Sequence, residues 1–435
     1  MVIRVFAVAL LTGLAACDVS SSGSALAPTN VHSVAASKIK HVVFVVQENR
    51  TFDNIFGGPN GFPGADTVAS GRTKTGIVPL TKIRLEDMPV TGILDNSHRQ
   101  HVKAFDGGAL DDFDQPGSLP ATSYVDRAET GPYWDMAAKY TLADRMFGSN
   151  SGPTYVAHQY LIAGQSGGIV DVDNAASASY LVSWSCSAGA SLITSVLDNT
   201  GAEHANGPQT CMDYATLADR MAEGGYEWRY YTGSTWVGGG DPFSAINRFR
   251  DGRDSAHVFA PETRFLDDIK VSLPIGVTWV RSGVFNSDHP GYGGGLGPSW
   301  VASVVNAIGK SPYWESTAIF VVWDDWGGFY DHVQPPPRLT SRGTTDLTGP
   351  GLRVPLIVIS PYAKRGYVSH VNHEFGSLLR FAEEAFGVPS LGTVDAVSDN
   401  LQDCFDFTQP PAPFSSVKGS AAFRRPPAAF GSLRD

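Results

Sequence analysis

The chain has 435 residues, 42% of them apolar and 17% charged, with a formal net charge of −11. That length suits one large α/β domain or two ordinary ones, and the composition excludes a disordered or membrane-embedded protein. The negative charge and the lack of a basic block exclude nucleic acid as a partner.

The first segment reads as a leader, outside the fold. Arg4 gives it a positive start, and residues 5–16 are apolar but too few to span a bilayer. The stretch ends in Leu14-Ala15-Ala16-Cys17, which resembles a bacterial lipobox. Residues 1–17 are therefore expected to be a lipoprotein-type signal. Cys17 would carry a lipid anchor, with the protein exported to the periplasm or cell surface and held on a membrane. A plain secretory signal is the simpler alternative. Residues 18–37 are expected to form a flexible tether.

A folded domain is expected over 38–401. "HVVFVV" at 41–46, "AIFVVW" at 318–323 and "VPLIVIS" at 354–360 are unbroken apolar runs. Runs without alternation predict strands covered on both faces, as in a parallel sheet. Helical spacing is present over 214–225, 298–310 and 376–386, with a strand over 226–232. The alternation predicts an α/β fold, a doubly wound, mostly parallel sheet with helices on both faces. Residues 60–117 and 232–260 are expected to form long loops or a small lobe over the site. The Pro-rich tail, 402–435, keeps Phe405, Phe407, Phe414 and Phe423 and is expected to pack on the domain surface. Cys186 and Cys211 are close enough in sequence for a disulfide, which leaves Cys404 as a buried thiol.

Polar residues follow two of the buried runs with no turn between. Gln47-Glu48-Asn49-Arg50 follows the first, and Asp324-Asp325 follows "AIFVVW". In open α/β sheets ligands sit beyond the carboxyl ends of the strands. Two strands thus deliver oxygen ligands to one edge, where they suit a divalent metal. A pair of helix N-caps is the plain alternative. Arg50 is read as a brace for the loop or for Glu48, with Phe52 and Phe56 beneath it. In "GPTYVAHQYLIAG" Thr154 opens a helical pattern, as a cap or as a nucleophile at a helix start. Candidate histidines are His98, His101, His289, His332, His370 and His373.

These segments together resemble the bacterial phosphoesterase family of phospholipases C and acid phosphatases, in the alkaline phosphatase-like superfamily. "IKHVVFVVQENRTFDNIFG" is similar to its opening signature, and "VVWDDWGGFYDHVQPPP" to the signature with paired acidic ligands. The resemblance implies a metal site of Glu48, Asn49, Asp324 and Asp325. It implies Thr154 as nucleophile, His289 of "SDHPGYGGG" as the active-site histidine, and His98 of "DNSHRQHVKAFDGG" at the phosphate. His370 and His373 fall outside that site. Phospholipase-type members follow the threonine with Pro-Asn-Arg; here Tyr155, Val156, Ala157 and His158 stand instead, and His158 is a weak candidate phosphate contact. Trp326 replaces a small or polar residue after the acidic pair.

The implied chemistry is metal-dependent hydrolysis of phosphoric esters through a phosphothreonine, phospholipase C-like. The alternative is an acid phosphatase acting on monoesters. A remoter one is a non-catalytic, lipid-anchored surface binding protein on a phosphatase scaffold. Trp134, Trp184, Trp236 and Trp326 are candidates for an aromatic headgroup patch, with core packing as the default for each.

Overall fold

The computed structural model describes residues 38–85, 93–115, 119–173, 184–186, 192–233, 241–250, 255–339, 346–419 and 423–425. The leader, the tether and Trp236 lie outside these residues. No helix among the described residues is long and apolar enough to cross a membrane.

Among the described residues, eight strands form the central sheet. In chain order they are β1 (His41–Gln47), β2 (Thr141–Ala143), β3 (Glu227–Tyr231), β4 (Val258–Phe259), β5 (Gly276–Arg281), β6 (Thr317–Trp323), β7 (Leu356–Ile359) and β8 (Tyr367–Ser369). Their spatial order is β4-β3-β5-β1-β6-β7-β2-β8. β1 lies between β5 and β6 and runs parallel to both. Its seven residues are all buried, as the unbroken apolar run requires. The sheet is mostly parallel, as expected, with one exception. β7, from the run at 354–360, is antiparallel to both β6 and β2. Full burial reports that helices cover both faces of a strand; it does not report the strand's direction.

The helices that frame the sheet are α1 (Phe52–Phe56), α2 (His98–Phe105), α3 (Arg127–Lys139), α4 (Thr154–Ala163), α5 (Leu217–Glu223), α6 (Gly297–Gly309) and α7 (Phe375–Phe386). Five of them pack in two sets, α3 with α6 and α4 with α5 and α7. The period-two alternation of strands shows which set covers which face. Phe44 of β1 lies between Trp279 and Phe320, with ring centroids 5.8 and 5.7 Å away. On that face the Trp279 indole donates to the Leu161 carbonyl of α4, and Phe320 meets Phe381 of α7. Trp323 is three residues past Phe320 and so faces the other way, edge-on to Tyr133 of α3 at 4.8 Å.

The helical pattern at 214–225 is realised only over α5. Thr216 and Asp219 close a capping box at its start, which excludes Tyr214 and Ala215. Part of the 60–117 region builds a small lobe. A second apolar cluster there gathers Leu94, Phe113, Trp326, Phe329 and Tyr330, so the lobe packs on the loop that follows β6. Cys186 and Cys211 are disulfide-bonded, and Cys404 is free and buried. Along the tail, Phe405 stacks on Phe381, Phe414 meets Trp314, and Phe423 meets Trp300. Arg424 then pairs through its backbone with the Asn286 side chain, on the loop after β5.

Candidate active site

Three neighbouring parallel strands, β5, β1 and β6, end at the same edge, and their next residues make the site. Gln47 is the peg of this edge. Its Oε1 accepts from Ser282 Oγ (2.9 Å) and the Asp288 N–H (3.0 Å), and its Nε2 donates to the Asn286 carbonyl (3.1 Å). The β1 end is thereby tied to the loop carrying His289. Asn49 follows with φ of 59°, a left-handed turn that Asn tolerates better than most residues. The turn aims its N–H at Asp324 Oδ1 (3.1 Å) and its Nδ2 at Asp325 Oδ2 (3.4 Å). Gly327 closes the gap from the other strand: a Cβ there would sit 2.3 Å from the Asn49 carbonyl oxygen.

Thr154 is the first residue of α4. Its hydroxyl makes no capping bond, and Pro153 holds the cap position. The hydroxyl instead donates to Asp325 Oδ2 at 3.0 Å. The capping alternative therefore fails for this residue. Asp325 is held in turn by Asn96 Nδ2, 2.9 Å from both its oxygens, and by the Gly327 N–H at 2.7 Å. Trp326 fixes that arrangement, because its indole N–H donates to the Asn96 carbonyl (3.3 Å).

Glu48, Asp324 and His158 converge beside this group, with ligand atoms all within 4.8 Å of one another. Arg281, the last residue of β5, forms a buried ion pair with Glu48. Burial alone would raise the Glu48 pKa, but Arg281, with His289 and His158, outweighs it and holds the group below the ordinary glutamate value. Asp324 has no such partner. Burial, and then the charge of Glu48, push it up to about 8. Burial and Asp324 push Asp325 well above the usual carboxylate range. Burial, then Arg281, lowers His158 to about 4, so its ring is neutral near pH 7.

Whether these residues fit a metal is answered by unpartnered atoms. Asn49 Oδ1, His158 Nε2 and Asp324 Oδ2 are buried without a hydrogen bond. His158 Nε2 and Asp324 Oδ2 are 3.3 Å apart yet not aligned to bond. Buried polar atoms are rarely left so. Two oxygens and a neutral imidazole nitrogen, beside excess negative charge, fit a divalent cation.

The other expected residues are placed as follows. His289 Nδ1 lies 2.8 Å from the Pro290 carbonyl, so Nδ1 carries the proton and Nε2 the lone pair. Burial lowers its pKa, against the pull of Glu48. His98 Nδ1 lies 3.0 Å from Ser151 Oγ, on the turn leading to Thr154. Among the remaining histidines, His332 bridges Asp53 and Asp66, His370 meets Asp144, and His373 meets Asp399. Arg50 braces the loop, by two bonds to the Asp288 carbonyl, and lies over the Phe329 ring. Trp134 packs with Phe56 and Phe62, and Trp184 sits edge-on to Tyr155. Arg281 and Asn96 were missed from sequence, and His158 was undervalued. Asn96 had a signal, since it lies in the quoted segment beside His98. Arg281 had a weaker one, a basic residue closing the run "GVTWVR".

Asp288 stands under the site. Tyr133 Oη (2.7 Å) and Trp323 Nε1 (3.1 Å) donate to its Oδ2, while Oδ1 has no partner. Burial raises its pKa to about 6, against 3.8 for the free side chain. The native state thus keeps the Asp288 proton longer than the unfolded chain does, and native stability falls as pH rises through that window. Asp288→Asn keeps both accepted bonds and removes the ionisation. The melting temperature of the variant, relative to the unsubstituted protein, is expected to rise between about pH 4 and about pH 7 and then level off. A difference that stays flat across that range contradicts the assignment.

Comparison with known proteins gives the family of the chain. Residues 39–389 match the Phosphoesterase family, so the chain belongs to that family. The non-hemolytic phospholipase C of Burkholderia pseudomallei is 24% identical, over 92% of this chain and 63% of its own length. The hemolytic phospholipase C of Pseudomonas aeruginosa is 26% identical, over 85% of this chain and 56% of its own. Phospholipase C B of Mycobacterium tuberculosis is 24% identical, over 86% of this chain and 79% of its own. The chain therefore spans less than two thirds of the first two relatives. Among solved structures, a Vibrio parahaemolyticus protein of the alkaline phosphatase superfamily gives a TM-score of 0.38 at 10% identity, covering 84% of this chain and 70% of that one. A PsFucS1 sulfatase from Pseudoalteromonas gives 0.40 at 9% identity, covering 90% and 74%. At such scores the likeness supports nothing further.

Proposed function

We propose that the chain hydrolyses phosphoric esters in the manner of a phospholipase C, with Thr154 as nucleophile and a divalent metal in the site. The observation that carries this reading is the uncapped Thr154 hydroxyl, held on Asp325 beside a buried acidic cluster with unpartnered ligand atoms. Glu48, Asn49, Asp324 and His158 would hold the ion. Asp325, whose oxygens already accept several hydrogen bonds, holds the Thr154 hydroxyl. The ion, when bound, supplies positive charge that favours the alkoxide form of the nucleophile and the charge of the transition state.

Thr154 Oγ1 attacks phosphorus in line with the ester oxygen. The new Oγ1–P bond forms, the ester P–O bond breaks, and the leaving group departs as its oxyanion, which takes a proton from solvent. The hydroxyl proton goes to Asp325 Oδ2, which already accepts its hydrogen bond at 3.0 Å. Water then attacks the phosphothreonine: its oxygen bonds phosphorus, the Oγ1–P bond breaks, Asp325 returns its proton to Thr154 Oγ1, and phosphate, or a phosphate monoester from a diester, leaves. His289, neutral with its lone pair on Nε2, is suited to take the proton of that water. His98, at the start of α2 and beside Ser151 on the turn before α4, would approach the phosphoryl oxygens. The disulfide supports an oxidising compartment, as the leader ending at Cys17 implies.

The names of the relatives favour a diester over a monoester. The test is turnover of p-nitrophenyl phosphorylcholine and p-nitrophenyl phosphate, with and without a chelator. Both are expected to be cleaved, the diester faster, and both to stop on chelation. A faster monoester establishes the acid phosphatase reading. No turnover of either, with no bound metal, establishes the binding-protein reading.

A further inference from the structure

Arg281 is more than a counter-ion. It closes β5 opposite Val46 of β1, and Val46 stands opposite Val322 of β6, so Arg281 lies two residues below the level of Glu48 and Asp324. Its guanidinium pairs with Glu48, and both side chains are almost wholly buried. Its field also reaches His158, His289 and Asp324. Its Nε–H is buried without a partner.

A buried ion pair is poor value as a stabiliser, because desolvation offsets most of the attraction. A guanidinium carries five donors in a planar fork, and pairing with one carboxylate oxygen leaves most of them available. Glu48 also belongs to the set that fits a divalent ion. With such an ion bound, Glu48 would be shared between the metal and the guanidinium, so neither has the carboxylate to itself. The remaining guanidinium donors then suit an anionic phosphoryl group. Phosphate oxygens match the fork, and a buried unpartnered N–H gains a full hydrogen bond from them.

We propose that Arg281 is a substrate-binding residue that grips a non-bridging oxygen of the phosphoryl group, and that Glu48 holds its guanidinium in place for that contact. The proposal rests on the phosphoryl-transfer reading of Thr154. It assigns anion recognition to β5, an element separate from the helix that carries the nucleophile and the strands that lead to the acidic ligands.

The test measures binding of inorganic phosphate and, separately, of manganese(II) alone, by calorimetry on the full chain. Arg281→Gln is expected to weaken phosphate binding about tenfold or more, the worth of one charged hydrogen bond. Manganese affinity is expected to hold or improve, since Glu48 is released. Guanidinium ion at millimolar levels is expected to restore phosphate binding to Arg281→Ala, which a merely structural role would not produce. If Arg281→Gln does not fold, Arg281→Lys decides on the same tenfold criterion, because one ammonium cannot serve Glu48 and phosphate together. A folded variant that binds phosphate within about twofold of the unsubstituted protein overturns the proposal. An unsubstituted protein that binds manganese but not phosphate overturns it too, and leaves the metal site standing. One that binds neither removes the phosphoryl-transfer reading itself.

Discussion

Thr154→Ala is expected to lower kcat by about 10⁴-fold or more on both nitrophenyl substrates, the usual scale for loss of a nucleophile. The protein should fold normally. Thr154 is not the cap of α4, so no cap is lost. One side-chain hydrogen bond disappears, worth about 1 kcal/mol. Asp325 keeps Asn96 and the Gly327 N–H as donors, so its own position is secured. Metal content should therefore be unchanged. Thr154→Ser keeps the oxygen and should keep most of the activity. Acid-quenched enzyme should carry a phosphoryl group on the peptide that contains residue 154, and the alanine variant should carry none. Near-normal turnover by a folded Thr154→Ala protein would end the nucleophile assignment.

The fold was largely legible because burial is written in runs. β1, β6 and β7 each come from an apolar stretch with no alternation, and each is fully buried. Direction was not legible for β7, since covering both faces of a strand requires apolar residues whichever way it runs. β5 went unread because "GVTWVR" mixes Gly, Thr and Arg into a short run. Losing β5 meant losing Arg281. The residues at the ends of β1 and β6 were legible, because a carboxylate directly after a buried run needs a reason to be there. What escaped was pairing. No spacing rule places Arg281 on Glu48, 233 residues away in the chain, or Asn96 on Asp325. His158 was undervalued for a related reason. It lies one helical turn past Thr154, on the same side of α4, but only the fold brings Asp324 within 3.3 Å of its ring.

Asp324→Asn should separate stability from function most sharply. Glu48, Asp324 and Asp325 are three buried carboxylates with one guanidinium paired to them, at Glu48. The two aspartates are left with raised pKa values because burial penalises their charge and each repels another carboxylate. A divalent ion would neutralise that excess and satisfy Asp324 Oδ2, His158 Nε2 and Asn49 Oδ1 together. Adding it to the metal-free protein should raise the melting temperature, by linkage worth about 4 kcal/mol at a thousandfold excess over Kd. In Asp324→Asn the penalty is already gone, so the metal-free variant should melt higher than the metal-free parent at pH 8. The same change removes a ligand charge. Metal-induced stabilisation should nearly vanish, and turnover should fall by about 10³-fold or more, as when charge stabilisation is lost from a transition state. A chelator should bring the parent close to the variant in activity and below it in stability. A variant that keeps stoichiometric metal and full turnover would place the ion elsewhere. One that melts below the metal-free parent would mean that the Asp324 carboxylate stabilises the fold, and that the site is not held under electrostatic stress for the sake of the ion.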